Sequence, residues 1–360
     1  MKVLHITAIG SEVKKSGVPS VLSNLCTEQC NIANTQSRVL SVRTESGKKE
    51  DYFDTLNHIS FKDYVANYNP DLVIFHTVFF IQYVKIARVL IKMKIPYAIE
   101  PHGSFGEMAL KKSFLKKKIA LNTIFRSFIN NSRAFIYTNI AEKNDSIIHN
   151  KLEVVIPNGV SEGNLTYELN RFEEKDNLPT FYYLGRYKIH HKGLDYLMKA
   201  LKILDDNKEN ICVRFYGMGD KAEMSFMQQW ILRYKNIDVK ELGTLYDEEK
   251  ARVLSKANIL LLTSRYEGSP ITVLDALTFG NPCLVTPGTN VADEIESNGL
   301  GWKTDLDEKS ISESILKAKS EYLADQKGYY SRCKSYVSNH YLWSKIAEVS
   351  VNEYKKILMR

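Results

Sequence analysis

Apolar and polar positions along this chain alternate between two textures: short β-branched runs, and longer stretches in which apolar residues recur at helical spacing. Residues 2–9 read as a strand, residues 10–17 as a polar, glycine-containing loop, and helical periodicity then carries Val18, Val21, Leu22 and Leu25. Further strand-like runs follow at 37–42, 71–76, 97–100, 134–138 and 153–156. Strands that alternate with helical stretches predict a parallel sheet covered by helices on both faces. The stretch 163–179 is polar and acidic, lacks apolar periodicity and reads as a linker. Alternation then restarts, with strands at 180–184, 211–216, 237–242, 259–263 and 282–286 and helices at 194–205, 221–234, 247–256 and 273–279. The pattern predicts a first domain at 1–162 and a second α/β domain of the same type at 180–342, with one or two terminal helices in the tail 341–359.

Composition agrees with two ordinary cores. A chain of 360 residues, 44% hydrophobic and 25% charged, is long enough for two domains and is neither disordered nor fibrous in character. No run approaches the roughly 20 apolar residues of a spanning helix, so a cytoplasmic chain is expected. Five cysteines, without metal-type spacing, read as reduced thiols. The net charge of +7 is unevenly spread. Between 108 and 141 there is no acidic residue, while Lys111, Lys112, Lys116, Lys117, Lys118, Arg126 and Arg133 interleave with Leu110, Phe114, Leu115, Ile119, Leu121, Phe125, Phe128 and Ile129. Such a segment is either a core-packed helix with a solvated basic face or a surface helix, at 108–133, that leans on anionic lipid headgroups.

Ligands of parallel sheets bind outside the carboxyl ends of strands, so the strand tips carry the candidate chemistry. Gly185-Arg186 and Lys192-Gly193 place two cations around one loop, a pairing suited to a diphosphate but also found in ordinary basic turns. Gly217 and Gly219 follow the strand at 211–216, where a nucleotide can approach the backbone closely. At a third tip Glu267-Gly268-Ser269-Pro270-Ile271 presents a carboxylate before a helix whose first amides attract anions, with Asp275 eight positions after Glu267. In the first half, Glu100-Pro101-His102-Gly103 ends a strand.

Taken in order, these residues resemble the retaining GT-B glycosyltransferases of family 4 over nearly the whole chain. The resemblance implies two Rossmann-like domains with parallel sheets facing across a cleft. The first would be an acceptor-side domain joined by a C-terminal helix at 343–360, the second a donor-binding domain. It implies that Arg186 and Lys192 hold the donor diphosphate and that Glu267 and Asp275 contact the sugar and the ribose. Asp275 departs from the glutamate of the pattern and is one methylene shorter. His102 with Gly103 resembles the family's His-Gly element at the reaction centre, and Gly17 is the partial remnant of a paired-glycine acceptor loop. Pro157-Asn158-Gly159-Val160 and Tyr341-Leu342-Trp343 resemble the interdomain turn and the lead into the last helix.

The expected activity is transfer of a sugar, with retention, from a nucleotide-diphosphate donor to a glycan or lipid-linked saccharide in surface polysaccharide (O-antigen or capsule) synthesis. UDP is favoured over GDP as the carrier. Cations and amides aimed at the leaving diphosphate supply the electrostatic stabilisation, so no metal and no cofactor are expected. The expected location is cytoplasmic, with peripheral contact at the inner membrane face through 108–133. Rival readings are a catalytically silent scaffold of the same fold, a phosphorylase and a nucleotide-sugar epimerase. A nucleic-acid binder lacks any recognised reading motif.

Overall fold

The computed structural model describes residues 1–8, 18–42, 53–56, 59–107, 110, 114–165 and 178–360. Gly17, Lys111, Lys112 and most of the predicted linker lie outside them. The linker's first residues are the end of a helical turn, Glu162–Leu165. The chain forms two compact units, Met1–Gly159 with Tyr341–Arg360, and Val160–His340.

The first unit holds strands β1 (Lys2–Thr7), β2 (Gln36–Ser41), β3 (Phe53–Thr55), β4 (Leu72–His76), β5 (Tyr97–Glu100), β6 (Ala134–Tyr137) and β7 (Glu153–Val155). They pair in parallel in the order β3-β2-β1-β4-β5-β6-β7. The second unit holds β8 (Thr180–Leu184), β9 (Cys212–Tyr216), β10 (Asp238–Glu241), β11 (Ile259–Leu262), β12 (Cys283–Val285) and β13 (Gly301–Lys303). These are also parallel, in the order β10-β9-β8-β11-β12-β13. Strand order reverses between β1 and β4 in one sheet and between β8 and β11 in the other, which makes these the switch points of two doubly wound units. Central strands β4, β5 and β11 are buried at every position because helices cover both faces, whereas edge strand β10 alternates between buried and more exposed residues. The three-residue edge strands β3 and β13 were too short to stand out as apolar runs.

The faces of the first sheet are covered by different parts of the chain. On one face Phe75, Tyr83, Tyr97, Phe128 and Phe135 pack with Leu4 and Ile6. On the other, Val3, Ile74, Ala98 and Ile136 meet Trp343, Ile346, Tyr354 and Ile357 of the last helix, Trp343–Leu358. Gly159 lies directly against the Trp343 indole, and a Cβ there would come within 2.5 Å of the ring. The Pro-Asn-Gly-Val turn and the aromatic-x-Trp motif, far apart in sequence, are therefore two sides of one contact.

In the second unit the helix Leu194–Asp206 begins at Gly193, whose φ is 62°. A Cβ on Gly193 would sit 1.9 Å from the Thr263 carbonyl oxygen at the end of β11. Glycine is demanded here both by the left-handed backbone and by the approach of the strand.

Two substitutions test these contacts. Trp343→Ala should cost about 3–5 kcal/mol, the range for removing a buried large aromatic side chain. Urea unfolding followed by circular dichroism should show it, and an unchanged midpoint would remove the helix from the core. Gly193→Ala should destabilise by about 1–2 kcal/mol through its backbone alone, with the steric clash adding to that. Gly163→Ala, with open space around its Cβ position, is the neutral control.

Candidate active site

The carboxyl ends of β8 and β11 meet at the switch point of the second sheet. Beside them the tips of β8, β9 and β10 are stitched together by backbone hydrogen bonds. Gly185 N–H donates to Tyr216 O at 2.9 Å, Tyr187 N–H to Met218 O at 2.8 Å, and Gly217 N–H to Gly243 O at 2.7 Å. A Cβ on Gly217 would lie 1.9 Å from Gly185 O, and one on Gly219 would lie 2.6 Å from Glu223 Cβ. Both glycines are thus required by the packing of the loops themselves. Asp220 caps the next helix, Lys221–Ile231, in a reciprocal box with Glu223. Lys188 pairs with Glu223 at 3.0 Å.

The loop from 185 to 193 and the loop after β11 bring Lys192 and Glu267 into direct ion-pair contact. Ser264 Oγ donates to the same Glu267 oxygen at 2.6 Å. Asn290 Nδ2 donates to the Glu267 carbonyl at 2.6 Å, so the backbone as well as the side chain is held. His191 stacks on Tyr266 with centroids 4.1 Å apart and donates from Nε2 to the Tyr266 carbonyl at 2.7 Å. Burial holds the His191 imidazole below its usual range; Glu267 opposes the shift, and the positive charges of Lys192 and Arg186 add to it. Arg186 is therefore within electrostatic reach of the same cluster, with its side chain exposed. Arg265 grips Asp195 with both nitrogens, at 2.8 and 2.7 Å, and fastens the loop to the helix Leu194–Asp206.

Pro270 begins the helix Ile271–Thr278 without a side-chain cap. Asp275, on that helix, forms an ion pair with Lys250 at 2.5 Å. This partner was not anticipated from sequence, because Lys250 lies on another helix, Asp247–Leu254.

In the first unit His102 follows β5 with φ 48°, and Thr77 follows β4 with φ 72°. Left-handed backbone is costly for a β-branched threonine, and two such residues at neighbouring strand tips mark a locally strained site. Gly103 also has positive φ, 76°, and its N–H donates to buried Glu142. Glu142 further accepts from the Thr138 N–H at 2.8 Å.

His102 is not alone there. His76 at the end of β4 and Glu100 at the end of β5 stand beside it, and His5 on β1 continues the row. His5 Nδ1 is 2.9 Å from His76 Nε2, and His76 Nδ1 is 3.1 Å from His102 Nε2. Burial pushes His5 and His76 down to about 3 and lowers His102, with Glu100 opposing the last shift. Burial raises the Glu100 carboxyl to about 7, His102 opposing and Glu142 adding. His5 and His76 were not singled out from sequence, and Glu100 was named only as the first residue of the Glu100-Pro101-His102-Gly103 tip, with no role of its own. The available signals were a polar residue closing an apolar run at His76 and a carboxylate before Pro101-His102-Gly103. No ligand spacing marks the group, and no metal was expected from the chain; the residues meet only because β1, β4 and β5 are consecutive neighbours in the sheet.

Residues 167–338 match the family model described as "Glycosyl transferases group 1". Among curated proteins, the chain is 26% identical over 216 residues to "Uncharacterized glycosyltransferase MJ1607" of Methanocaldococcus jannaschii, covering 56% of this chain and 53% of that one. It is 29% identical over 143 residues to "Lipopolysaccharide 1,6-galactosyltransferase" of Escherichia coli K12, covering 36% and 38%. The chain thus spans about half or less of the length of these relatives. Among solved structures, sucrose-phosphate synthase from Thermosynechococcus elongatus superposes with a TM-score of 0.77 at 16% identity, covering 99% of each chain. Anabaena Alr3699/HepE in complex with UDP and glucose superposes with a TM-score of 0.71 at 14% identity, covering 99% of this chain and 100% of that one. The superpositions show the architecture: this is a chain of GT-B fold in which residues 167–338 match the glycosyl transferases group 1 model.

Proposed function

We propose that the protein is a retaining glycosyltransferase that moves a sugar from a nucleotide-diphosphate donor, UDP in preference to GDP, onto a glycan or lipid-linked saccharide. The observation that carries this reading is the ion pair of Lys192 with Glu267 beside the β8/β11 switch point, on the loop that also carries Arg186, inside the segment matching the group 1 model. The name of the E. coli relative supports a role in surface polysaccharide synthesis, and the UDP complex of the Anabaena protein supports the choice of base.

Cleaving the sugar–phosphate bond builds positive charge on the sugar ring and negative charge on the leaving diphosphate. Arg186, Lys192 and the amides at the start of the helix Ile271–Thr278 are suited to stabilise that diphosphate, with no metal ion at the phosphates. Glu267 would accept sugar hydroxyls, while Asp275 would accept from the ribose and His102 would contact the donor or acceptor. Attack on the same face, with the leaving phosphate taking the acceptor's proton, accounts for retention without a protein nucleophile. A phosphorylase would release sugar phosphate, whereas this reading requires release of a nucleoside diphosphate.

Arg186→Ala and Lys192→Ala should each reduce transition-state stabilisation, read from kcat/KM, by about 2–4 kcal/mol. Glu267→Gln should lower turnover, and Asp275→Asn should chiefly weaken binding of free nucleoside diphosphate. Activity within twofold of the parent for both cation variants would refute the diphosphate assignment. Equal nucleotide binding by Asp275→Asn and the parent would refute the ribose role. Product anomers, read by NMR, test retention.

We also propose that the protein works in the cytoplasm with its basic segment resting on an anionic membrane. Among the described residues no helix is long and apolar enough to cross a membrane. Phe125, Phe128 and Ile129 are committed to the core, and Arg133 donates to the Leu358 carbonyl at 3.1 Å, which removes it from the lipid-facing set. Lys117, Lys118 and Arg126 instead line a cavity of about 560 Å³ together with Leu121, Ile129 and Ile148. Cations beside apolar walls suit an amphiphile with an anionic head. Each cation near an anionic surface contributes about 1 kcal/mol. Changing Lys111, Lys112, Lys116, Lys117 and Lys118 to glutamine should abolish most sedimentation with anionic vesicles, and salt should do the same to the parent. Failure of the parent to sediment at low salt would leave a soluble oligosaccharide as the better acceptor.

A further inference from the structure

The hydrogen bonds around His5 and His76 run in one direction. Ser350 Oγ donates to the Ala347 carbonyl at 2.7 Å, so it accepts from Gln29 Nε2 at 2.8 Å. That orients Gln29 Oε1 toward His5 Nε2, 3.2 Å away, and His5 must carry its proton on Nε2. Neutral His5 then has a lone pair on Nδ1, which accepts from His76 Nε2–H at 2.9 Å. The consequence falls at the far end of the row: neutral His76 keeps a lone pair on Nδ1, and that atom points at Glu100 and His102.

We propose that His76 Nδ1, His102 Nε2 and the Glu100 carboxylate form a binding site for one divalent transition-metal ion, with zinc as the best match. The three ligand atoms lie within 4.8 Å of one another. Their separations are 3.1 Å between the two nitrogens, 3.2 Å from His76 Nδ1 to Glu100 Oε2, and 3.5 Å from His102 Nε2 to Glu100 Oε1. A tetrahedral zinc ion with bonds of about 2.0–2.2 Å has ligand–ligand edges of about 3.3–3.6 Å, so these separations are close to those of one face of such an ion, and a turn of the Glu100 carboxylate would offer a single oxygen to it. Two imidazoles and one carboxylate suit zinc and its neighbours in the transition series, whereas calcium and magnesium require oxygen ligands.

The outer contacts have the form expected of a metal-binding histidine. One ring nitrogen of His76 is held by a hydrogen-bonded chain, through His5, Gln29 and Ser350, which leaves the other available to an ion. Strained backbone at Thr77 and His102 fixes the two strand tips from which the ligands project. Side-chain exposure rises from 1% at His76 through 9% at Glu100 to 16% at His102, so the open side of the site is at His102. Three protein ligands leave one tetrahedral position there for an oxygen ligand, either water or a hydroxyl group brought by a substrate. The rival occupant of the triangle is a single proton shared among the three groups.

The site is tested without donor or acceptor, so its outcome is separate from that of the glycosyl-transfer reading. The full-length protein, stripped by chelator and dialysed, is titrated with Zn²⁺ against a chromophoric chelator and with Co²⁺ by visible absorption. One ion per chain is expected, with the cobalt d–d bands of a four- or five-coordinate nitrogen and oxygen site. His76→Ala, His102→Ala and Glu100→Gln should each weaken binding at least tenfold, and Gln29→Leu, which touches no ligand, should weaken it about 10- to 100-fold. Circular dichroism of each metal-free variant separates loss of the site from loss of the fold. Zn²⁺ should also raise the thermal midpoint of the parent but not of folded Glu100→Gln. Folded parent protein that takes up neither ion would overturn the proposal in favour of the proton. A thiolate charge-transfer band in the cobalt spectrum, or unchanged affinity in folded His76→Ala and His102→Ala, would place the ion elsewhere and overturn it equally.

Discussion

Burial of both faces of two all-parallel sheets is the constraint from which the chemistry of this protein follows. With β4, β5 and β11 buried throughout, polar side chains have little room along these strands and collect where they end. Reversal of strand order then opens a gap between the outgoing helices at β1/β4 and β8/β11, and the charged and titratable residues of interest gather at those ends. The glycines of the motifs serve this geometry first. Gly193 lets β11 approach the start of a helix, and Gly217 lets the tips of β8 and β9 touch. The close approach at Gly193 brings Lys192 within reach of Glu267.

The two units meet the cost of the polar groups around these strand ends in different ways. The second pairs opposite charges: Lys192 with Glu267, Lys250 with Asp275, Arg265 with Asp195. Partly buried pairs of this kind add little net stability over apolar packing, because desolvation offsets most of the attraction. Their value lies in holding each charge at a defined place. The first unit suppresses charge instead: burial disfavours imidazolium at His5, His76 and His102 and carboxylate at Glu100, and hydrogen bonds satisfy the neutral groups.

How much of this could be read from the chain depended on whether a feature was local. Central strands and amphipathic helices announce themselves through apolar runs and periodicity, and the predicted run at 180–184 coincides with β8. β3 and β13 are three-residue edge strands, Phe53–Thr55 and Gly301–Lys303, that carry too little pattern to be seen. Arg186, Lys192 and Glu267 could be picked out because each sits beside a glycine in a loop that follows a recognisable strand. The meeting of His5, His76 and Glu100 could not be, since it depends on which strands are neighbours rather than on spacing. Lys250 beside Asp275 was hidden for the same reason. The basic segment was legible in charge but not in orientation, and only the packing separates Arg133, bound to the last helix, from Lys117 and Lys118 on the cavity wall.

The Lys192–Glu267 pair bears on the proposed chemistry in a way that neither residue does alone. While the two are in contact, the ammonium is engaged by the carboxylate and one carboxylate oxygen is occupied, with Ser264 on the same atom. A donor diphosphate carries more negative charge than a carboxylate and would compete for the lysine, with Arg186 on the same loop. Moving Lys192 toward the phosphates would release the Glu267 oxygen for sugar hydroxyls. Ser264 and Asn290 would keep the carboxylate and its backbone in place during the exchange. On the proposed reading the ion pair would couple recognition of the leaving group to recognition of the sugar, because the contact that holds the lysine is the one that occupies the acid.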